Sequence, residues 1–508
     1  MTENLLNALA LVAEPGTLLA VLVGAFFGLF VGAIPGLSAT MATALLVPVT
    51  FFMEPLPAVA LIVSCAAVAI TAGDIPGALL RIPGTPASAA YVDESYALTK
   101  KGKPQLALGT LLLAASLGGL VGSVVLMTFA PLLAQVALGF SVFEYFWLAL
   151  LGLSSVVLVS GNDPLRAGVS LVLGMLVATV GLDTLSGQAR FTFGSVELLG
   201  GVSFIPVMIG VFAASAVLRA LIKGPVPQPP APAPVKGGII RAVVPVFRKH
   251  KLNLARGSAI GTGIGVLPGV GGDLAAWISY AVSKRWSKKP DRYGTGRTEG
   301  LVDAGASNNA GLSSAWVPAL VFGIPGDAVT AIAIGVLFMQ GLNPGPTLFT
   351  EQAPTLYAVF LVFLLANLLM IPLGLTAIRL AHRILSVPQN ILYPIVLVFC
   401  LVGAFAINNT VFGIAIMLVF GAVGYFMEEN GFPVAPLILG LILGPLIERT
   451  LSQASIISRG ELMPFFERPT SLVLGLLAIA VWVAIFAKVL KPLWAKLRQF
   501  STTKKGRA

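Results

Sequence analysis

Between Gly24 and Thr40 the chain reads GAFFGLFVGAIPGLSAT, with Gly24, Gly28, Gly32 and Gly36 at every fourth position and Pro35 just before the last. The device returns in GSAIGTGIGVLPGVGGD, where Gly257, Gly261, Gly265 and Gly269 keep the same spacing and Pro268 precedes the last. On a helix this spacing lines small residues along one stripe, so another backbone can approach closely. The Pro-Gly step then stops the helix, because proline lacks a donor and glycine accepts conformations that other residues avoid. Two copies matching glycine for glycine, about half a chain apart, imply internal duplication.

What surrounds these stretches sets the solvent. The chain is 57% hydrophobic and 10% charged, so it cannot cover itself with polar surface and must be a polytopic membrane protein. The net charge of +11 sits in loops between apolar runs, which is a topology signal rather than a nucleic-acid footprint, and no nucleic-acid partner is expected. Cys65 and Cys400 both lie in apolar segments, against a disulfide framework or a thiolate metal site. The start, MTENLLNALA, lacks the basic region of a cleavable signal.

The organisation reads as a first transmembrane repeat (1–222), a basic, Pro-rich linker (223–256), a second repeat (257–468) and a last helix with a basic tail (469–508). Linker and tail carry the positive charge, which places both in the cytoplasm, and the N-terminus, with Glu3 and Glu14 and no lysine or arginine before Arg81, outside. Residues 257–283 have basic flanks on both sides, whereas 17–53 has none. Opposite flanking charge on related segments predicts inverted repeats, and arms shorter than the roughly 20 residues of a crossing predict re-entrant hairpins. Two ordinary spans kinked at Pro-Gly are the alternative. The expected fold class is therefore all-α, polytopic, with Pro-Gly-broken helices.

A second pair of breaks follows the first. Arg81-Ile-Pro-Gly-Thr-Pro-Ala-Ser88 aligns with Gly323-Ile-Pro-Gly-Asp-Ala-Val-Thr330, setting Thr85 and Ser88 against Asp327 and Thr330. Each break offers a helix cap: Ser38 or Thr40, Thr85 with Pro86 at the first helical position, Asp273, and Asp327. Irregular backbone at membrane depth must be buried in protein or line a wet cavity. There, free amides favour an anion and stranded carbonyls a cation. The candidate substrate-binding residues are Gly36, Ser38, Thr40, Gly84, Thr85, Ser88, Asn308, Asn309 and Thr330. Arg81 either pairs with a bound anion or snorkels to the interface. Asp74, Asp273 and Asp327 are the candidate cation-binding residues, and beyond that cation no metal or cofactor is expected. Asn162-Asp163 and Asn408-Asn409 are a further pair of interruptions.

These residues resemble the large membrane subunit of tripartite tricarboxylate transporters, the TctA type. The resemblance rests on Gly28-x3-Gly32-x2-Pro35-Gly36-Leu37, on Ile82-Pro-Gly-Thr-Pro-Ala-Ser88, and on YVDESYALTKKGKPQLALG around Asp93 to Lys103; it extends through Gly261–Gly272 and Asn308–Asp327. It implies sodium-coupled import of a di- or tricarboxylate across the inner membrane of a Gram-negative bacterium. A small four-helix membrane subunit and a periplasmic substrate-binding protein are the implied partners, beside membrane lipid. The rival classes are a stand-alone anion carrier or channel and an intramembrane aspartyl protease. No HExxH occurs, and His250 and His382 fall beside basic residues in loops, so neither a zinc hydrolase nor a histidine relay is expected.

Overall fold

The computed structural model describes residues 2–159, 163–183, 186–224, 235, 237–387, 389–407 and 409–505. Asn162, Asn408 and residues 225–234 and 236 of the linker lie outside them. The described chain is all-α apart from one two-residue ladder, Gly181–Leu182 with Ala189–Arg190. Eight of its helices are long and apolar enough to cross a membrane, so it is a polytopic membrane protein.

The first stretch runs α1 (Thr2–Ala13), α2 (Pro15–Ala33), α3 (Ala39–Thr50), α4 (Pro55–Ala72), α5 (Asp74–Leu80), α6 (Val92–Lys100) and α7 (Pro104–Ala137). Proline opens α2, α4 and α7, where its missing N–H is no loss. Next come α8 (Val142–Val159), α9 (Pro164–Ala178), α10 (Phe204–Ile209) and α11 (Ser215–Lys223), the last two continuous through a π turn at Gly210–Ala214. The second half contains α12 (Ile239–Lys249), α13 (Lys251–Gly265), α14 (Gly271–Trp286), α15 (Thr298–Ser314), α16 (Trp316–Phe322), α17 (Ala328–Met339), α18 (Leu348–Glu351) and α19 (Ala353–Ile384). It closes with α20 (Gln389–Ala406), α21 (Val411–Glu429), α22 (Ala435–Ile457), α23 (Pro464–Glu467) and α24 (Pro469–Lys505).

Two compact units form, each drawing on both halves of the chain: Met1–Leu138 with Ser203–Phe426, and Gly139–Val202 with Met427–Ala508. In the larger unit the glycine stripes do what their spacing predicts. A Cβ at Gly24, Gly28 or Gly32 would run into the carbonyls of Leu61, Cys65 and Ala69 on α4. A Cβ at Gly257, Gly261 or Gly265 would run into those of Asp303, Ser307 and Gly311 on α15. The two sets of partners stand at a constant offset, so the α2–α4 pair is repeated as α13–α15. The opposite face of α2 exposes Leu19, Val23, Phe26 and Phe30, as a lipid-facing surface would. The arms α13 and α14 are 15 and 16 residues long, short of a full crossing, and both pack on α15.

The smaller unit is held by a cluster of Phe143, Trp147, Ala454, Phe465 and Ala478. Its Glu144 carboxylate is fully buried and accepts from Thr470 Oγ1 (2.7 Å) and from Arg468 Nη1 (3.2 Å).

Candidate functional site

The helix breaks in the larger unit match in conformation as well as in sequence. α5 ends at Arg81 in the left-handed region (φ 62°), with Arg81 N–H donating to Gly77 O and Ile82 N–H to Pro76 O. α16 ends at Gly323 (φ 67°), with Gly323 N–H donating to Ala319 O and Ile324 N–H to Pro318 O. Glycine adopts this conformation freely; arginine does so at a cost. Three residues on, Gly84 lies so close to Gly73 that an added Cβ would sit 2.6 Å from its Cα, and Gly326 packs likewise on Ala315.

The residues that follow form reciprocal caps. Thr85 N–H donates to Ser88 Oγ and Ser88 N–H to Thr85 Oγ1, both at 3.1 Å. Asp327 N–H donates to Thr330 Oγ1 (2.8 Å) and Thr330 N–H to Asp327 Oδ1 (2.7 Å). Asp327 thereby starts α17. Thr85 starts only a turn and a 3-10 segment at Ser88–Ala90, so Pro86 does not open an α-helix as its position suggests.

At the other pair of breaks, Gly36 (φ 90°) and Gly269 (φ 76°) turn the chain. Ser38 caps α3, its Oγ accepting from Met41 N–H at 3.1 Å. Asp273 does not cap its own helix. It lies in the first turn of α14 and reaches across to accept from Ala87 N–H at 3.0 Å, tying the second-repeat hairpin to the first-repeat break.

These four breaks meet. Ser38, Ala39, Thr40, Thr85 and Pro86 from the first half and Gly272, Asp273, Asp327 and Ala328 from the second line one cavity of about 50 Å³. That is room for a few waters in the conformation seen. Thr40 and its counterpart Asp273 both line the cavity, as do Thr85 and its counterpart Asp327. Two carboxylates and the hydroxyl residues Ser38, Thr40 and Thr85 thus share one cavity, and no lysine, arginine or histidine lines it.

The remaining candidates lie elsewhere. Gly36 and Gly84 shape the breaks without lining the cavity, and the hydroxyls of Ser88 and Thr330, buried, serve the caps. Arg81 is 60% exposed and pairs with Asp93 at 2.8 Å, away from the cavity. Asp74 is buried beside a separate apolar cavity, accepting from Tyr91 Oη at 2.8 Å. Asn308 Nδ2 reaches that same hydroxyl (3.5 Å), while its buried Oδ1 has no partner and lies near the cavity residue Gly272. Asn309 bridges α15 to α4, donating to Ala67 O and accepting from Thr71 Oγ1, both at 3.3 Å. Among the described residues no three His, Cys, Asp or Glu side chains gather to hold a metal.

Sequence reasoning missed three buried groups that brace this region. Tyr91 links Asp74 to Asn308. Glu94, fully buried, accepts from the backbone N–H groups of Gly294, Gly296 and Arg297 at 2.6–2.7 Å and so fastens the loop before α15. Asp303, also fully buried, takes Arg256 in a two-pronged pair (2.9 and 2.5 Å), with Asn253 and Ser283 on its second oxygen. Only the pairing of an acidic residue with a distant arginine inside apolar sequence could have flagged the last.

Fold and cavity together define a polytopic membrane protein whose broken helices, repeated in both halves, enclose a polar pocket, the construction of repeat-built secondary transporters. The family described as Tripartite tricarboxylate transporter TctA family matches residues 18–439, and the chain belongs to it: this is a tricarboxylate transporter subunit. It is 34% identical over 470 residues, 92% of each chain, to an uncharacterized 52.8 kDa protein in the TAR-I ttuC' 3' region of Agrobacterium vitis. A protein in the TAR-II ttuC' 3' region of the same organism is 36% identical over 230 residues, 45% of this chain and 95% of its own. No solved structure matches the chain.

Proposed function

We propose that the chain is the translocating subunit of a sodium-coupled importer of a di- or tricarboxylate. It works in the bacterial inner membrane with a small four-helix subunit and a periplasmic substrate-binding protein. The carrying observation is the cavity: a carboxylate substrate entering it meets Asp273 and Asp327 and no basic side chain. Like charges at close range repel strongly in a low-dielectric site, so the anion needs accompanying cations. Sodium at Asp273 and Asp327, with the unpartnered Asn308 Oδ1 near Gly272, supplies them. The Thr40 and Thr85 hydroxyls and the N-terminus of α3 take the anion. The present cavity must widen to admit it, and relative movement of the hairpins is the means. The family's tripartite character supports the two partners, and the basic linker and tail support a cytoplasmic C-terminus. The aspartates act here as ion ligands, Asp327 also capping α17, which is why hydrolysis is not proposed.

The test is uptake of labelled citrate, and of a dicarboxylate such as succinate, into proteoliposomes holding all three subunits under an imposed sodium gradient. A hydrogen bond to a charged group is worth about 1.5–3 kcal/mol, roughly ten- to a hundredfold in affinity. Thr40→Ala and Thr85→Ala should raise the substrate requirement by that factor, with Thr85→Ser restoring it. Asp273→Asn and Asp327→Asn should shift the sodium dependence instead; Asn keeps the cap of α17. Unchanged sodium activation in both aspartate variants would refute the coupling.

A further inference from the structure

One surface of the larger unit plays no part in the transport site. α12, IIRAVVPVFRK, carries three different stripes. At about 100° per residue, Ile239 and Val243 share one face, Ile240 and Val244 flank it, and Arg241 and Arg248 occupy the far side, with Pro245 and then Lys249 beyond them. The first face is buried on α7, its methyl groups standing where a Cβ of Gly109 would be. The flank is apolar yet uncovered, Ile240 being 51% and Val244 39% exposed, and Arg241, Arg248 and Lys249 are exposed beyond it, with Pro245 among them. Leu252, the second residue of the next helix, is 85% exposed, and nearby Arg256 lies over the exposed Trp286 ring at 5.5 Å. No acidic residue occurs between Arg219 and Arg256.

A helix facing only water would not expose the flank, and one docked only on protein would bury it. A helix lying in a bilayer interface needs this order of faces: protein, acyl boundary, headgroup. We propose that α12 is an interfacial helix that binds anionic phospholipid, with Ile240 and Val244 in the acyl boundary and Arg241, Arg248 and Lys249 on headgroup phosphates. Charge complementarity sets the occupant, because the helix offers cations and no carboxylate. The basic segment is thereby held against the membrane just before the hairpin that carries Asp273. The surface shares no residue with the substrate cavity, so this inference stands or falls apart from the transport mechanism.

The test uses the full chain in nanodiscs of phosphatidylcholine, with and without phosphatidylglycerol. Ile240→Cys, Val244→Cys and Lys249→Cys carry an environment-sensitive fluorophore; the native Cys65 and Cys400 are fully buried. Nitroxide-labelled lipid should quench the labels at 240 and 244 and spare the one at 249. Phosphatidylglycerol should strengthen that quenching, and high salt should reverse the gain. In the Ile240→Cys background, Arg241→Gln with Arg248→Gln should lower the phosphatidylglycerol-dependent gain about fivefold per charge removed. Quenching of 240 and 244 by aqueous iodide alone would overturn the proposal, as would protection from both quenchers, which would mean that protein covers the face. Lipid quenching indifferent to phosphatidylglycerol and salt would overturn the anionic preference.

Discussion

The glycine stripe of α13 allows one substitution to be tried at two neighbouring positions with opposite outcomes. At Gly261 an added methyl would meet Ser307 Cα at 2.7 Å and Ala310 Cβ at 2.9 Å, besides the Ser307 carbonyl. Carbon atoms settle at about 3.5–4.0 Å, so the backbones of α13 and α15 must part by about 1 Å. Backbone atoms cannot rotate aside as a flexible side chain can. Overpacking of this kind costs about 1–3 kcal/mol. At Gly263, in the same helix, nothing lies within 4 Å of the added methyl. Alanine there should be neutral or stabilising by up to about 1 kcal/mol through helix propensity. Thermal unfolding of the purified protein in detergent, followed by size-exclusion chromatography, reads both. Gly261→Ala should lower the midpoint, and because α13 leads to Gly269, whose N–H holds Pro325 O at 3.1 Å, uptake should fall with it. A Gly261→Ala protein as stable as the parent, or a Gly263→Ala protein equally damaged, would refute close backbone packing as the reason for the repeat.

Three further outcomes are expected. Arg81→Ala should change stability by no more than about 1 kcal/mol, because its pair with Asp93 is exposed, and should leave substrate affinity unaltered in uptake assays. Asp303→Asn leaves Arg256 without its buried partner and should cost about 3–5 kcal/mol, read as lost thermal stability or lost folded yield. Burial holds the His250 imidazole below its ordinary 6.5, so the folded chain favours the neutral ring. The unfolded segment binds the proton first as pH falls, so this contribution is complete above about pH 6.5 and is lost progressively below it. Hydrogen exchange over residues 246–256 should therefore accelerate on acidification in the parent and less so in His250→Gln.

The sequence alone carried the membrane class, the duplication and the places where helices stop. Each of these depends on local quantities: a run of apolar residues, a four-residue spacing, or a proline that cannot donate. The cap residues Ser38 and Asp327 were legible for the same reason, since a cap acts within three residues of itself. Tertiary structure decided everything that joins distant segments. Thr85 and Asp273 look alike as caps on paper, yet Thr85 bonds within its own turn while Asp273 crosses to Ala87. Asp74, Asp273 and Asp327 look equivalent beside their glycines, and packing puts only the last two in the shared cavity. Arg81 stands next to a break, but in its left-handed turn the side chain lies outside, paired with Asp93. Tyr91, Glu94 and Asp303 gave no local signal, because a buried polar group is recognisable only by the donors that folding brings to it. Periodicity records which way a residue faces along its own helix; what it faces is set by close packing between helices far apart in the chain.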